Sequence, residues 1–149
     1  MRENLFHGQR KDNGEWVEGY YCAFNGVSHR IYTGYAETDC GEFYPDYYEV
    51  IPETVGQYAV ATDKNSTKIF EGNICKVTMF TCEGEAKHYL CEVCFDCGSF
   101  VFRERSGFDI LPVDIYDFET DVEVIGNIYD NPELIGGETN ERRRNLEQM

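Results

Sequence analysis

Short runs that alternate between apolar and polar positions dominate the chain. Residues 16–24, WVEGYYCAF, set Trp16, Glu18, Tyr20, Cys22 and Phe24 against Val17, Gly19, Tyr21 and Ala23, a period of two with bulky side chains on both faces. This pattern predicts a strand covered on both sides. Asn25-Gly26 follows, the strongest short-range hairpin signal, and predicts a returning strand over residues 27–33. Upstream stand the apolar pair Leu5-Phe6 and a turn at Asp12-Asn13-Gly14. Residues 34–46, GYAETDCGEFYPD, collect glycine, acids and turn formers and predict a loop. Residues 47–51 predict a further strand, with Ile51 held extended by Pro52.

The pattern changes at residues 56–77, GQYAVATDKNSTKIFEGNICKV. An apolar run over residues 58–61 meets the polar cluster Asp63-Lys64-Asn65-Ser66, and alternation resumes at Ile69-Phe70 before Gly72 and Ile74. That order predicts strand, tight turn, strand and a second reversal. Residues 73–80 then alternate, with Ile74, Lys76 and Thr78 on one face and Cys75, Val77 and Met79 on the other. A polar reversal at Glu83-Gly84-Glu85 leads to a strand over residues 88–97, a turn at Cys97-Gly98 and a return over residues 99–103. Residues 110–113 are a brief apolar piece broken by Pro112, residues 114–121 are acidic and irregular, and residues 122–129 alternate until Asn131-Pro132 stops them. Short strands at this spacing, with no helix between them, predict a mainly β chain. The expected parts are an N-terminal antiparallel β part over residues 1–55, a small β-barrel or roll over residues 56–132, and a polar tail over residues 133–149. In the tail Thr139 is positioned to cap a short helix over residues 140–148, cut off from the body by Gly136-Gly137; the alternative is a disordered tail that a partner would cover.

Composition supports strands: aromatics make up 15% of the chain, with 11 Tyr and 10 Phe, side chains that fit half-buried sheets. Charge bears on partners. With 28 acidic against 13 basic residues the formal net charge is −15, which repels polyphosphate and disfavours nucleic acid. The acids are dispersed, 10 against 4 bases over residues 1–55 and 14 against 6 over residues 56–131, as expected for a solvated surface. The N-terminus lacks the apolar stretch of a signal peptide and no apolar run reaches membrane-spanning length, so a cytoplasmic chain without membrane contact is expected. Seven cysteines, an odd number without a secretion signal, fit reduced thiols.

The most suggestive chemistry is Cys91-x-x-Cys94-x-x-Cys97, with Cys75, Cys82 and His88 upstream. Zinc wants its ligands gathered around one point. In a strand, Cys91 and Cys97 share one face and Cys94 takes the other, so structural thiols and no metal are expected. His7, His29 and His88 have no paired spacing, and nucleophile-elbow, phosphate-loop, zinc-protease and dinucleotide motifs are all missing from the sequence. No catalytic or binding residue and no cofactor can be nominated on this basis, and the expectation is a protein that is not an enzyme.

Three ordered blocks carry a resemblance. The first holds Met1-Arg2-Glu3, Phe6, Gly8, Arg10, Gly14-Glu15-Trp16-Val17 and Gly19-Tyr20; the second runs from Val50-Ile51-Pro52-Glu53-Thr54-Val55-Gly56-Gln57-Tyr58 through Asp63-Lys64-Asn65 to Lys68-Ile69-Phe70-Glu71-Gly72. The third is Glu123-Val124-Ile125-Gly126-Asn127-Ile128-Tyr129-Asp130-Asn131-Pro132-Glu133-Leu134. Together they resemble the YopX family of phage and prophage proteins. The resemblance implies a two-part β protein whose C-terminal part is similar to an SH3-type barrel, a phage origin and hence a bacterial host cytoplasm. It brings no established activity and no catalytic residues. Two positions depart from the family pattern: Ser66 stands where Gly is common, and Gly72-Asn73 where Gly-Asp is common. The function expected is a non-catalytic interaction module that docks on a protein partner or self-associates through β surfaces. The alternatives are nucleic-acid or nucleotide binding by the barrel, and an acidic decoy for a DNA-binding host protein.

Overall fold

The structure is a computed structural model that describes residues 4–113 and 120–135. The chain divides into two compact units, residues 1–58 and 59–149. Both are built from antiparallel strands joined by short turns.

In the first unit, β1 (Phe6–Gln9), β2 (Trp16–Phe24), β3 (Ser28–Glu37), β4 (Phe43–Glu49) and the start of β5 (Gly56–Thr62) lie in the order β4-β3-β2-β1-β5. The hairpin predicted at Asn25-Gly26 is present. Both residues take positive φ, 51° and 68°, as the tight hairpin turn requires. At Gly19 a Cβ would sit 2.2 Å from the backbone oxygen of Tyr32, so β2 and β3 approach there only because glycine has no side chain. The 3-10 turn Pro52–Thr54 is tied to β1 by its threonine. The Gln9 amide donates to Thr54 Oγ1 at 2.9 Å, the Thr54 hydroxyl donates to the Ile51 carbonyl at 2.6 Å, and the Ile51 amide donates to the Gln9 carbonyl at 2.9 Å. Ile31 and Val50 are fully buried on this unit's inner face.

Residues 34–46 are not the loop that their composition predicts. β3 continues to Glu37 and β4 begins at Phe43, so only residues 38–42 turn, closed by Thr38 and Glu42. The period of two persists through Tyr35, Glu37, Phe43, Pro45 and Tyr47, and it outweighs the turn-forming composition. Gly34, with φ 152°, marks a bulge where the pairing slips between Tyr32 and Gly34.

The second unit contains the remainder of β5, then β6 (Lys68–Phe70), β7 (Asn73–Phe80), β8 (Ala86–Asp96), β9 (Ser99–Glu104), β10 (Asp109–Pro112), β11 (Thr120–Asn127) and a 3-10 turn, Pro132–Ile135. The predicted turn at Cys97-Gly98 is present, with positive φ at both residues. The expected closed SH3-like barrel is not found. Among the described residues, five strands form an open sheet in the order β10-β9-β8-β7-β11. β10 is only four residues long, its register slips between Asp109 and Leu111, and Pro112 has no N–H to offer a further strand. The expected helix over residues 140–148 lies outside the described residues, as does most of the irregular segment 114–121. One face of the sheet carries Cys75, Val77, Cys91, Val93, Phe102 and Val122, which pack with Ala59, Ile69 and Val113 into the unit's core. No helix among the described residues is long and apolar enough to cross a membrane.

A single buried carboxylate fixes the turn between β5 and β6. Asp63 Oδ1 accepts the amides of Asn65 and Thr67 at 2.8 and 2.9 Å, while Oδ2 accepts the amide of Val124 in β11 at 2.8 Å. The Asp63 amide donates to the Thr67 carbonyl at 2.8 Å, and the Lys64 amide to the Val122 carbonyl at 2.9 Å. Burial opposes ionisation here, but the amides of Val124, Thr67 and Asn65 outweigh it and hold the Asp63 pKa below the usual carboxylate range. Ser66 takes φ 64° in the same turn, a left-handed conformation that glycine adopts without penalty. Asn73, the other departure from the family pattern, keeps the acceptor it needs: its Oδ1 takes the Phe70 amide at 2.7 Å.

Two outcomes follow. Asp63→Ala should cost about 3 kcal/mol in urea unfolding at pH 7, because it leaves buried amides without their acceptor. Because the folded-state pKa is depressed, this contribution is complete above the unfolded value of about 3.9 and is lost as pH falls through the folded value. The stability gap between wild type and Asp63→Asn should therefore narrow on acidification from pH 7; a constant gap would contradict the ionised clamp. Ser66→Gly should raise stability by about 0.5–1 kcal/mol by relieving the left-handed serine, and a loss of stability would show that the turn has no strain there.

Candidate functional site

The first unit presents one face of its β2–β3–β4 ribbon to solvent, and aromatic side chains cover it. Strand alternation and register assign the residues. Tyr20, Tyr32 and Tyr47 form a row across the three strands, since Tyr20 is opposite Tyr32 and Tyr32 is opposite Tyr47. Cys22, Arg30 and Glu49 form the next row, and Phe24 pairs with Ser28 beyond it. On the other side of the β3 bulge, Tyr35 lies opposite Pro45 and Glu37 opposite Phe43. Six aromatic rings thus share one surface. Tyr35 is 78% exposed, Phe43 72% and Tyr20 64%, values far from those of a packed face. Phe24 and Tyr47 are also exposed.

Arg30 organises the centre. Its guanidinium carbon lies 4.3 Å from the Tyr47 ring centroid and 4.9 Å from that of Phe24, close enough for cation–π attraction to both. Nε donates to Ser28 Oγ at 3.1 Å, and the Tyr32 and Tyr47 rings meet at 5.4 Å. The opposite face of the ribbon is used internally: Phe6 packs on Tyr21, Tyr21 is hydrogen-bonded to His29, and Arg10 sits over Tyr48. The prediction that β2 is covered on both sides is therefore corrected. Its alternation carries bulky residues on both faces: the face holding Gly19, Tyr21 and Ile31 is packed, while the other is covered at its start, where His7 lies against Trp16, and is exposed at Tyr20 and Phe24. β4 ends the strand order, and Pro45, without an amide hydrogen, interrupts it as a template for another strand. Contact through the face is left.

The cysteines do not converge. Cys91 is buried in the core face of β8, Cys94 lies half-buried on the other face with its thiol donating to Glu92 at 2.9 Å, and Cys97 is exposed in the turn. Among the described residues no group of three His, Cys, Asp or Glu side chains is arranged to hold a metal ion. Burial, then nearby Glu104, pushes the Cys91 thiol up to about 12; burial and the Glu92 hydrogen bond push Cys94 up to about 12. Cys75, directly opposite Cys91, is raised further by burial. The hydrogen bond to Asp96 raises Cys97. Arg103 bridges the Asp96 and Asp109 carboxylates at 2.7 Å each, a surface brace of the β8–β10 edge. His88 exchanges a hydrogen bond with Thr78 across β7 and β8, and His7 lies against Trp16 with ring centroids 4.6 Å apart. These histidines lie in three separate settings.

Comparison with known proteins bears on the fold. The profile of the YopX protein family matches residues 5–136. The chain belongs to the YopX family. A solved structure, that of protein EF1440 from Enterococcus faecalis, superposes on this YopX chain with a TM-score of 0.61 at 21% identity, covering 91% of this chain and 99% of the other. The likeness concerns the fold alone. No curated protein sequence matches this YopX chain. Two of the clamps described above join stretches that the sequence blocks span: Gln9, between Gly8 and Arg10, with Thr54 in the first unit, and Asp63 with Val124 in the second. The aromatic face falls mainly between those blocks. Its signal in the sequence is the continued alternation of Tyr35, Phe43 and Tyr47 through a segment whose composition suggests a loop.

The thiol environments predict a graded reactivity. With a disulfide reagent at pH 8, Cys40 and Cys82 should react fast, Cys97 more slowly because Asp96 disfavours its thiolate, and Cys75 and Cys91 only on unfolding. Rapid labelling of Cys91 in the folded protein, read by peptide mass, would contradict the packed core.

Proposed function

We propose that this YopX protein is a non-catalytic, phage-encoded interaction module of the bacterial cytoplasm that presents the β2–β4 aromatic face to a protein partner. One observation carries the reading: six aromatic side chains occupy a single sheet face, three of them more than 60% exposed. Exposing that much apolar ring surface loses the hydrophobic gain of burying it, and a partner surface would recover that gain. Tyr and Phe anchors of this kind dominate the energetics of protein interfaces. Base stacking by nucleic acid would use the same rings, but the acidic balance of residues 1–55 opposes it, and Arg30 is already engaged by Phe24 and Tyr47.

The test compares wild type with a Tyr35→Ala, Phe43→Ala double variant. Both side chains are exposed, so thermal unfolding should stay within about 0.5 kcal/mol of wild type. Capture from bacterial host extract followed by mass spectrometry should retain a protein on the wild type and lose it on the variant, with affinity for the identified partner falling about tenfold or more. Equal retention by both proteins would refute the reading, as would a specific turnover by the purified protein in hydrolase and transferase assays.

A further inference from the structure

We infer that the aromatic face recognises an arginine-rich segment of a separate protein, bound by stacking of guanidinium groups on its open rings with neighbouring carboxylates as counter-charges. The inference rests on the proposed function and names the chemistry of the partner. The face already holds one guanidinium in this way. Arg30 lies between Tyr47 and Phe24, at 4.3 and 4.9 Å from their centroids, with Glu49 directly opposite it in the pairing. The same elements recur without a cation of the chain's own at the other end of the ribbon. There Phe43 lies opposite Glu37, and Tyr35 is the diagonal neighbour of Phe43 on the same face. Side chains so placed are about 5–7 Å apart, so one arginine could lie on a ring and reach a carboxylate at once.

Charge complementarity points the same way. Arg30 is the sole Lys or Arg on this face among the described strands, while Glu37 and Glu49 lie on it and Asp39 and Glu42 are exposed in the adjoining turn. Residues 1–55 as a whole carry 10 acids against 4 bases. A second copy would bring a chain of charge −15 to a chain of charge −15, which opposes face-to-face pairing. The chain's own run Arg142-Arg143-Arg144 is flanked by Glu138, Glu141 and Glu147, which offset its charge. Arginine is favoured over lysine because a planar guanidinium stacks on a ring and still forks to a carboxylate, whereas an ammonium is a compact, strongly hydrated point charge.

The full chain would be titrated by calorimetry with four peptides: alternating Arg-Gly, the same peptide with Lys, the same with neutral citrulline, and a peptide of residues 138–149. The Arg peptide is expected to bind at least fivefold more tightly than the Lys peptide, with the citrulline and 138–149 peptides weaker still. Tyr35→Ala, Phe43→Ala should weaken it tenfold or more, and Glu37→Gln severalfold, with the fold intact by thermal melt. Equal binding of Arg and Lys peptides, unchanged in the double variant, would mean attraction to bulk acid and would overturn the inference. So would tight binding of the 138–149 peptide, or sedimentation showing self-association that the double variant abolishes. If no Arg peptide binds while host-protein capture still depends on Tyr35 and Phe43, this inference falls and the proposed function stands. If capture too is indifferent to those residues, both fall.

Discussion

Three backbone amides from two distant stretches of chain converge on one buried carboxylate, and the second unit depends on that convergence. Asp63 joins Asn65 and Thr67, in its own turn, to Val124, sixty-one residues onward in β11. A charge buried without partners would be expelled or neutralised; one holding three N–H groups is favoured in its ionised form. The geometry at once satisfies amides that a tight turn and a bulged strand would otherwise leave open, and ties β11 to the β5–β6 turn. It brings together an Asp-Lys-Asn turn and a Val-Ile-Gly segment that lie far apart in sequence. Asn127 does similar work nearby, its side-chain oxygen accepting the amides of Tyr129 and Asp130.

In the first unit a hydroxyl takes the corresponding part. Thr54 Oγ1 accepts the Gln9 amide and its hydroxyl donates to the Ile51 carbonyl, so the 3-10 turn Pro52–Thr54 is tied to β1, the strand that begins the unit. These ties are made by backbone groups and small polar side chains. They leave β2, β3 and β4 free to carry large rings on a face that contributes little to packing. The division is physical: Ile31 and Val50 are buried on one side of the ribbon, Tyr35 and Phe43 exposed on the other.

Much of this was legible in the sequence, and the failures have identifiable causes. The hairpins at Asn25-Gly26 and Cys97-Gly98 could be read because positive φ leaves a residue signature. The departure at Ser66 could be seen, and its left-handed backbone gives that departure a physical meaning. Segment 34–46 departs from the loop its composition suggests, because glycine and acids favour turns locally whereas register is set by pairing with a neighbouring strand. The closed barrel expected from strand spacing fails for a related reason: that β11 lies beside β7, leaving β10 at the far end, is set by pairing between distant residues such as Val77 and Val122. The alternation of β2 showed two bulky faces but not which of them would be covered. Local periodicity specifies strands; it does not specify what packs on them.

The most direct measurement of the central claim, that the ribbon's outer face is built to be open, is hydroxyl-radical footprinting of the isolated protein read residue by residue. Tyr20, Tyr35 and Phe43 should be modified rapidly, at rates near those of the unfolded chain, while Tyr58, Phe70 and Phe102 are protected until unfolding. Protection of Tyr35 and Phe43 in the isolated chain would show the face to be already covered and would contradict the account.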